Sequence, residues 1–184
     1  MALDPVIHYA LTGFFAAILG LAARHKLRDL KAFEQALRAY DLLPRSLVPL
    51  AARLLPLIEA GLAIGLVVRA TSGGFLAADL FVVATVLLML AYGAAMGLTL
   101  AQGRRDIRCA CGGLSGEQTI SRTLVGRNLV LALLAGCLLS APAARSLLWL
   151  DGATVGFATL FLLLTYMSAD LAAQTGAMMK DKDL

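Results

Sequence analysis

Phe75-Leu-Ala-Ala-Asp-Leu-Phe-Val-Val-Ala-Thr-Val-Leu-Leu-Met-Leu-Ala-Tyr-Gly-Ala-Ala-Met-Gly-Leu-Thr-Leu-Ala101 contains a single charged side chain, Asp79. A hydrocarbon core ~30 Å thick is crossed by ~20 mostly apolar helical residues, so this stretch predicts a membrane span. Four further stretches read the same way. They are about 5–23, where His8 is the one residue titrating near neutral pH, and 47–68, which carries Arg53 and Glu59. The others are about 123–141, which carries Arg127, and 152–169, which is uncharged. Inside lipid each must be a helix, because every backbone N–H and C=O needs a partner within the segment. The expected fold is therefore all-α: a polytopic transmembrane bundle of about five spans around a four-helix core, with residues 1–184 forming one integral membrane domain.

The composition agrees. Of the 184 residues, 60% are hydrophobic and 15% charged, and the mean hydropathy is +0.81. Average soluble domains carry ~45–50% apolar and ~25% charged residues, and a soluble domain of this size leaves roughly a third of its unfolded surface exposed. Disorder is excluded by the hydrophobicity.

The net charge of +4 does not point to nucleic acid, because the Lys and Arg residues lie in short stretches between apolar runs. Residues 24–46 hold Arg24, Lys26, Arg28, Lys31, Arg38 and Arg45. Residues 102–122 hold Arg104, Arg105, Arg108 and Arg122, and the tail holds Lys180 and Lys182. The other two connections carry only Arg69 and Arg145. With five spans, the positive-inside rule selects an outside N-terminus and an inside C-terminus. Asp4 precedes the first span and no basic residue does, so this span reads as a retained helix rather than a cleaved signal.

Within residues 25–43, Leu27, Leu30, Phe33, Leu37, Tyr40 and Leu43 recur at helical spacing, with Glu34 and Arg38 at i,i+4 on another face. This predicts a juxtamembrane amphipathic helix ended by Pro44, either lying in the lipid interface or packed on the bundle end. Gly61/Gly65, Gly93/Gly97 and Gly152/Gly156 are small-residue pairs that permit close helix approach, within one chain or across a homodimer.

The strongest chemical signal is Arg108-Cys109-Ala110-Cys111-Gly112-Gly113, in the polar connection 102–122. Neighbouring arginines favour the thiolate, which is the form that attacks disulfides and binds metals. A disulfide across Cys-X-Cys closes a very small ring and suits a bond that is passed on. Cys-X-Cys also suits a soft ion such as Cu(I), although no neighbouring ligands complete a zinc site. The third reading is two loop cysteines without chemistry. Cys137, inside the fourth apolar run, reads as a small buried hydrophobe.

The second signal is Glu59, at mid-depth in the second span. An intramembrane carboxyl is costly and marks a functional site by default. It is expected to be neutral or paired with Arg53 or Arg127, with Asn128 joining, as either a proton or quinone-head-group site or an interhelical clamp. Asp79 is expected at the interface, and His8 and His25 are expected to be isolated. No Walker A, Rossmann glycine or H-E-x-x-H pattern occurs, so no cofactor is expected beyond a quinone at Glu59 and Arg127, and no metal.

Taken together, these residues resemble the MauE methylamine-utilisation family within the DoxX-like membrane superfamily. The resemblance covers most of the chain. It runs through Lys26-Leu27, Phe33, Tyr40-Asp41-Leu42-Leu43-Pro44, Pro56-Leu57-Ile58-Glu59, the Cys109–Gly113 motif and Arg127-Asn128. The wider group usually shows Cys-Gly-Cys-Phe-Gly, and here Ala110 and Gly112 replace the Gly and the Phe. The resemblance implies a bacterial inner-membrane protein that helps mature the disulfide-rich small (β) subunit of methylamine dehydrogenase. Cys109 and Cys111 would act beside a thioredoxin-like partner, MauD. A quinone-linked thiol oxidoreductase is the variant implied by the wider superfamily, and a soft-metal binder or a non-catalytic scaffold is the rival class. The charge rule places the thiols on the cytoplasmic side while the implied client is periplasmic, so the thiols relay electrons across the membrane, the chain is inverted, or a crossing before them is missed or spurious.

Overall fold

The computed structural model describes residues 3–72, 76–104, 107 and 120–182. Among them lie six helices: α1 (Pro5–Arg28), α2 (Leu30–Tyr40), α3 (Val48–Ser72), α4 (Leu76–Ala101), α5 (Arg122–Cys137) and α6 (Trp149–Lys182). The helix starts follow from local chemistry. Asp4 accepts a hydrogen bond from Val6 N at 2.8 Å, and Pro5 fills the first turn, where a missing N–H costs nothing. Ser121 caps α5 by accepting from Leu124 N. Asp151, in the first turn of α6, accepts from Leu148 N at 2.8 Å.

The expected amphipathic segment is divided. Asp29 leaves helical geometry, ends α1 and caps α2 through Ala32 N at 2.9 Å, so Leu27 belongs to α1. Asp41 closes α2 in the left-handed region, at φ 53°. Phe33 and Tyr40 turn into the protein while Leu27 and Leu43 stay exposed. Thus α2 packs on the end of the bundle, against α3.

Five helices run lengthwise and alternate in direction. Arg69, near the end of α3, donates to Leu138 O just past α5 at 2.9 Å and to Asp79 in the first turn of α4 at 3.0 Å. Leu3 N donates to Ala141 O at 3.1 Å, and Arg145 reaches both Asp4 and Asp151. These contacts gather the starts of α1, α4 and α6 and the ends of α3 and α5 at one end of the bundle. The second end holds α2, Ala101 and Arg122. Because α1 and α6 run parallel, Ala10 O accepts from Thr159 Oγ1 at 3.3 Å, and Phe14 meets Tyr166 edge-on.

The core is built from four helices, as expected. Leu11, Phe14, Phe15 and Leu19 of α1 pack with Leu62 and Leu66 of α3, Val82 and Met89 of α4, and Leu131 and Ala135 of α5. Among the described residues, four helices are long and apolar enough to cross a membrane: α1, α3, α4 and α6. The run 123–141, expected to be a span, forms a shorter helix. α5 has 16 residues, about 24 Å at ~1.5 Å per residue, because Leu138–Ser140 tighten into turns before Pro142. α6 lies outside the core with Phe157, Phe161 and Leu164 exposed, which is the surface a lipid-facing helix presents.

Candidate functional site

Cys109 and Cys111 lie outside the described residues. Their flanks do not. Ile120 N donates to Ile107 O at 2.9 Å, joining the two sides of the connection at its base. Ile120 packs with Tyr40, Met96 and Leu124. Arg104 donates to Tyr40 O at 3.4 Å and faces Asp41 at 3.7 Å. The connection that carries the thiols is therefore anchored to α2 at the second end.

Glu59 is 1% exposed and its partner is Lys26, 2% exposed, with Nζ to Oε1 at 2.5 Å. Neither Arg53 nor Arg127 takes that place: Arg53 is exposed, and Arg127 pairs elsewhere. Tyr92 OH donates to the same Oε1 at 2.7 Å, and Lys26 Nζ reaches the phenol oxygen at 3.0 Å. The ammonium also lies 5.0 Å from the Phe33 ring centre and 4.7 Å from that of Tyr92, where ring faces attract a cation. Residues from α1, α2, α3 and α4 thus converge on one buried charge pair. Sequence reasoning counted Lys26 among the basic residues of the 24–46 connection that set topology. The signal that would have found it is the stripe His8, Thr12, Phe15, Leu19, Ala23, Lys26, spaced three or four apart and buried throughout.

Arg127 of α5 pairs with Asp170 of α6, which is 3% exposed, and its guanidinium lies 5.3 Å from the Tyr166 ring centre. Asp170 was missed because the apolar run was taken to end at residue 169. Asn128 is buried but serves its own helix, donating to Leu124 O at 3.0 Å.

Glu59, Tyr92, Arg127 and Asn128 line one cavity between α1, α3, α4, α5 and α6, measuring about 80 Å³. Glu59 Oε2 and Arg127 Nε are buried with no hydrogen-bond partner among the described residues. The structure thus brings Glu59 and Arg127 to one site through separate ion partners. Its remaining walls are apolar, among them Leu19, Met89, Leu131 and Leu163.

A second cluster sits at the first end. His8 Nε2 lies 3.0 Å from Arg69, which also binds Asp79 and Leu138 O. His8 is therefore not isolated, as the sequence suggested, but part of the tie between α1, α3, α4 and α5. Asp79 is exposed and pairs with Arg69. Cys137, expected to be buried, is exposed at the end of α5, because the packed face there is Ala135 and Leu138. Among the described residues, no group of three or more His, Cys, Asp or Glu side chains converges.

Comparison with known proteins gives a consistent result. The family described as "Methylamine utilisation protein MauE" matches residues 4–141. A "Methylamine utilization protein MauE" of Paracoccus denitrificans is 36% identical over 179 residues, covering 94% of this chain and 93% of its own. The protein of that name from Methylorubrum extorquens is 36% identical over 181 residues, covering 95% and 92%. The one from Paracoccus versutus is 36% identical over 169 residues, covering 91% and 88%. No solved structure matches the chain.

Proposed function

The chain belongs to the methylamine utilisation protein MauE family, and from that premise we propose that it serves the maturation of the methylamine dehydrogenase β subunit in the bacterial inner membrane. The pair Cys109 and Cys111 supports formation or isomerisation of the client's disulfides together with a thioredoxin-like partner, MauD. The observation that carries this reading is a Cys-X-Cys pair in the polar connection of a membrane bundle, held at its base by Ile107 and Ile120.

In the exchange, a client thiolate attacks the Cys109–Cys111 disulfide and forms a mixed disulfide. A second client thiolate then displaces the chain's cysteine. The client gains one disulfide, the chain becomes a dithiol, and two electrons pass to it. The partner's disulfide restores the pair by the same chemistry. In that restoring step the chain's own thiolate attacks the partner's disulfide, faster when the thiolate is populated, and Arg104, Arg105 and Arg108 supply positive charge within five residues of Cys109.

The test is a strain carrying Cys109→Ser and Cys111→Ser. The β subunit should accumulate with free or mispaired thiols, read by mass spectrometry after alkylation, while the membrane level of the variant protein stays normal. A native disulfide pattern in that strain overturns the thiol reading. Should the client also mature normally after deletion of the whole chain, the assignment to maturation fails as well.

A further inference from the structure

Two ion pairs, the buried Lys26–Glu59 and the largely buried Arg127–Asp170, meet at the cavity described above, which Glu59 and Arg127 line. Each pair cancels itself, so the site carries no net charge, and an ionic occupant would face the full cost of burial at membrane depth. Two polar atoms at this cavity have no hydrogen-bond partner among the described residues: the acceptor Glu59 Oε2 and the donor Arg127 Nε. They come from different helices and border a common space. Buried polar groups of this kind are normally satisfied. An occupant that offers one donor and one acceptor would satisfy both.

The size and walls narrow the choice. About 80 Å³ is several times the ~10–15 Å³ that one water requires. Leu21 and Met167, on α1 and α6, line the cavity and are exposed on the bundle's apolar outer face at 42% and 41%. The cavity therefore opens sideways between two helices toward the lipid. Met89 and Met167 offer thioethers, which pack well against aromatic rings.

We propose that this cavity binds the oxygen-bearing ring of a lipid-soluble quinone or quinol. Arg127 Nε–H donates to a ring oxygen. Glu59 Oε2 accepts from the hydroxyl of the reduced form. The hydrocarbon tail leaves between Leu21 and Met167. The site stands on the cavity alone and holds whether or not Cys109 and Cys111 exchange electrons.

The test uses the full chain in lipid nanodiscs, with a ten-carbon-tailed ubiquinone and its quinol as probes and binding read by titration calorimetry. One saturable site per chain is expected. Ala22 lines the cavity, so Ala22→Phe should abolish binding. Arg127→Lys keeps the charge facing Asp170 but removes the Nε donor, and should weaken binding about tenfold, the effect of one good hydrogen bond. Leu133→Phe, on the exposed face of α5, should change nothing. If Ala22→Phe fails to fold, Leu163→Trp blocks the same space. Non-saturable partitioning overturns the proposal. So does equal competition by decanol, which would mark the slot as one for lipid chains. Loss of binding with Ala22→Phe but not with Arg127→Lys also overturns it, because the ring oxygen would then have no recognised partner.

Discussion

Replacing Lys26 with Met removes a cation and leaves almost all of the side-chain volume in place. Glu59 then remains 1% exposed with one phenol hydrogen bond, from Tyr92. Breaking a buried pair on one side costs about 3–5 kcal/mol, because the surviving charge is uncompensated. At one decade per ~1.4 kcal/mol, the unfolding constant should rise by about two to three and a half orders of magnitude. Glu59→Leu alone strands the ammonium and should cost a similar amount, offset in part by the Phe33 and Tyr92 ring faces. The double variant Lys26→Met with Glu59→Leu behaves differently. Both desolvation costs disappear, so its stability should return to within about 1–2 kcal/mol of the parent. The assay is reversible unfolding in mixed detergent, followed by helix signal, for the parent, both single variants and the double. Additive losses in the double variant would refute the reasoning, since they would mean that each side chain is held by neighbours other than its ion partner. A Lys26→Met protein as stable as the parent would refute it as well.

Three further outcomes follow from the geometry. A Cβ on Gly65 would lie 2.3 Å from Phe81 Cδ1, whereas one on Gly20 meets nothing within 4 Å. Gly65→Ala should therefore cost about 1–3 kcal/mol by overpacking α3 against α4, and Gly20→Ala should stay within about 0.5 kcal/mol of the parent in the same unfolding assay. Asp170→Asn leaves Arg127 without its carboxylate and removes the ion pair between α5 and α6. Hydrogen exchange should accelerate about tenfold in α6 while α1, α3 and α4 keep their protection; equal acceleration everywhere would mean that the pair supports the whole bundle. In a Cys137→Ser background, an impermeant maleimide applied to intact spheroplasts should label Ser140→Cys, and should label Cys109 and Cys111 only after lysis. The reverse pattern would invert the orientation read from the basic residues.

The spans were legible because apolar length is a local property: α1, α3, α4 and α6 each contain the run that announces them. The core does not coincide with that set, because it takes in the shorter α5 and leaves α6 on the outside. The limits of local reading show at three places. Lys26 carries a charge, and a basic residue just beyond an apolar run reads as one that sets topology. α1, however, continues to Arg28, and its buried stripe carries Lys26 inward to Glu59. Asp170 stands one residue beyond the apparent end of its run, while α6 continues past it. Cys137 sits in an apolar run, but helical phase turns it away from Ala135 and Leu138, which pack. In each case the missing quantity was where a helix ends or which way it faces. Helix ends depend on caps such as Asp29, and facing depends on neighbours far along the chain. Glu59 was identified as a candidate from depth alone, since depth is a count of residues from the span's ends, but its partner lies 33 residues away and no spacing rule links the two.

The lengthwise order of the helices sharpens the question of how thiols and client meet. Five lengthwise helices that alternate in direction put the starts of α1, α4 and α6 and the ends of α3 and α5 at one end, and α2, Ala101 and Arg122 at the other. Arg69 and Arg145 are the basic residues of the first end, and both are engaged by carboxylates: Asp79 for Arg69, and Asp4 and Asp151 for Arg145. At the second end, Lys31, Arg45, Arg104 and Arg122 join Arg24 and Arg28 around α2, the pattern that anionic cytoplasmic lipid attracts. If the second end is cytoplasmic, Ala101 and Arg122, which flank the thiol-bearing connection, lie across the bundle from the periplasm, where the proposed client resides. Electrons would then need a carrier within the membrane, and the cavity beside Glu59 and Arg127 lies between the two ends. A periplasmic second end requires no carrier but sets the basic residues of α2 against the charge rule. The labelling of Cys109 and Cys111 and the quinone titration therefore bear on one choice. Inside thiols with a binding-competent cavity describe a relay, and outside thiols with a cavity that binds no quinone describe direct exchange at the membrane surface.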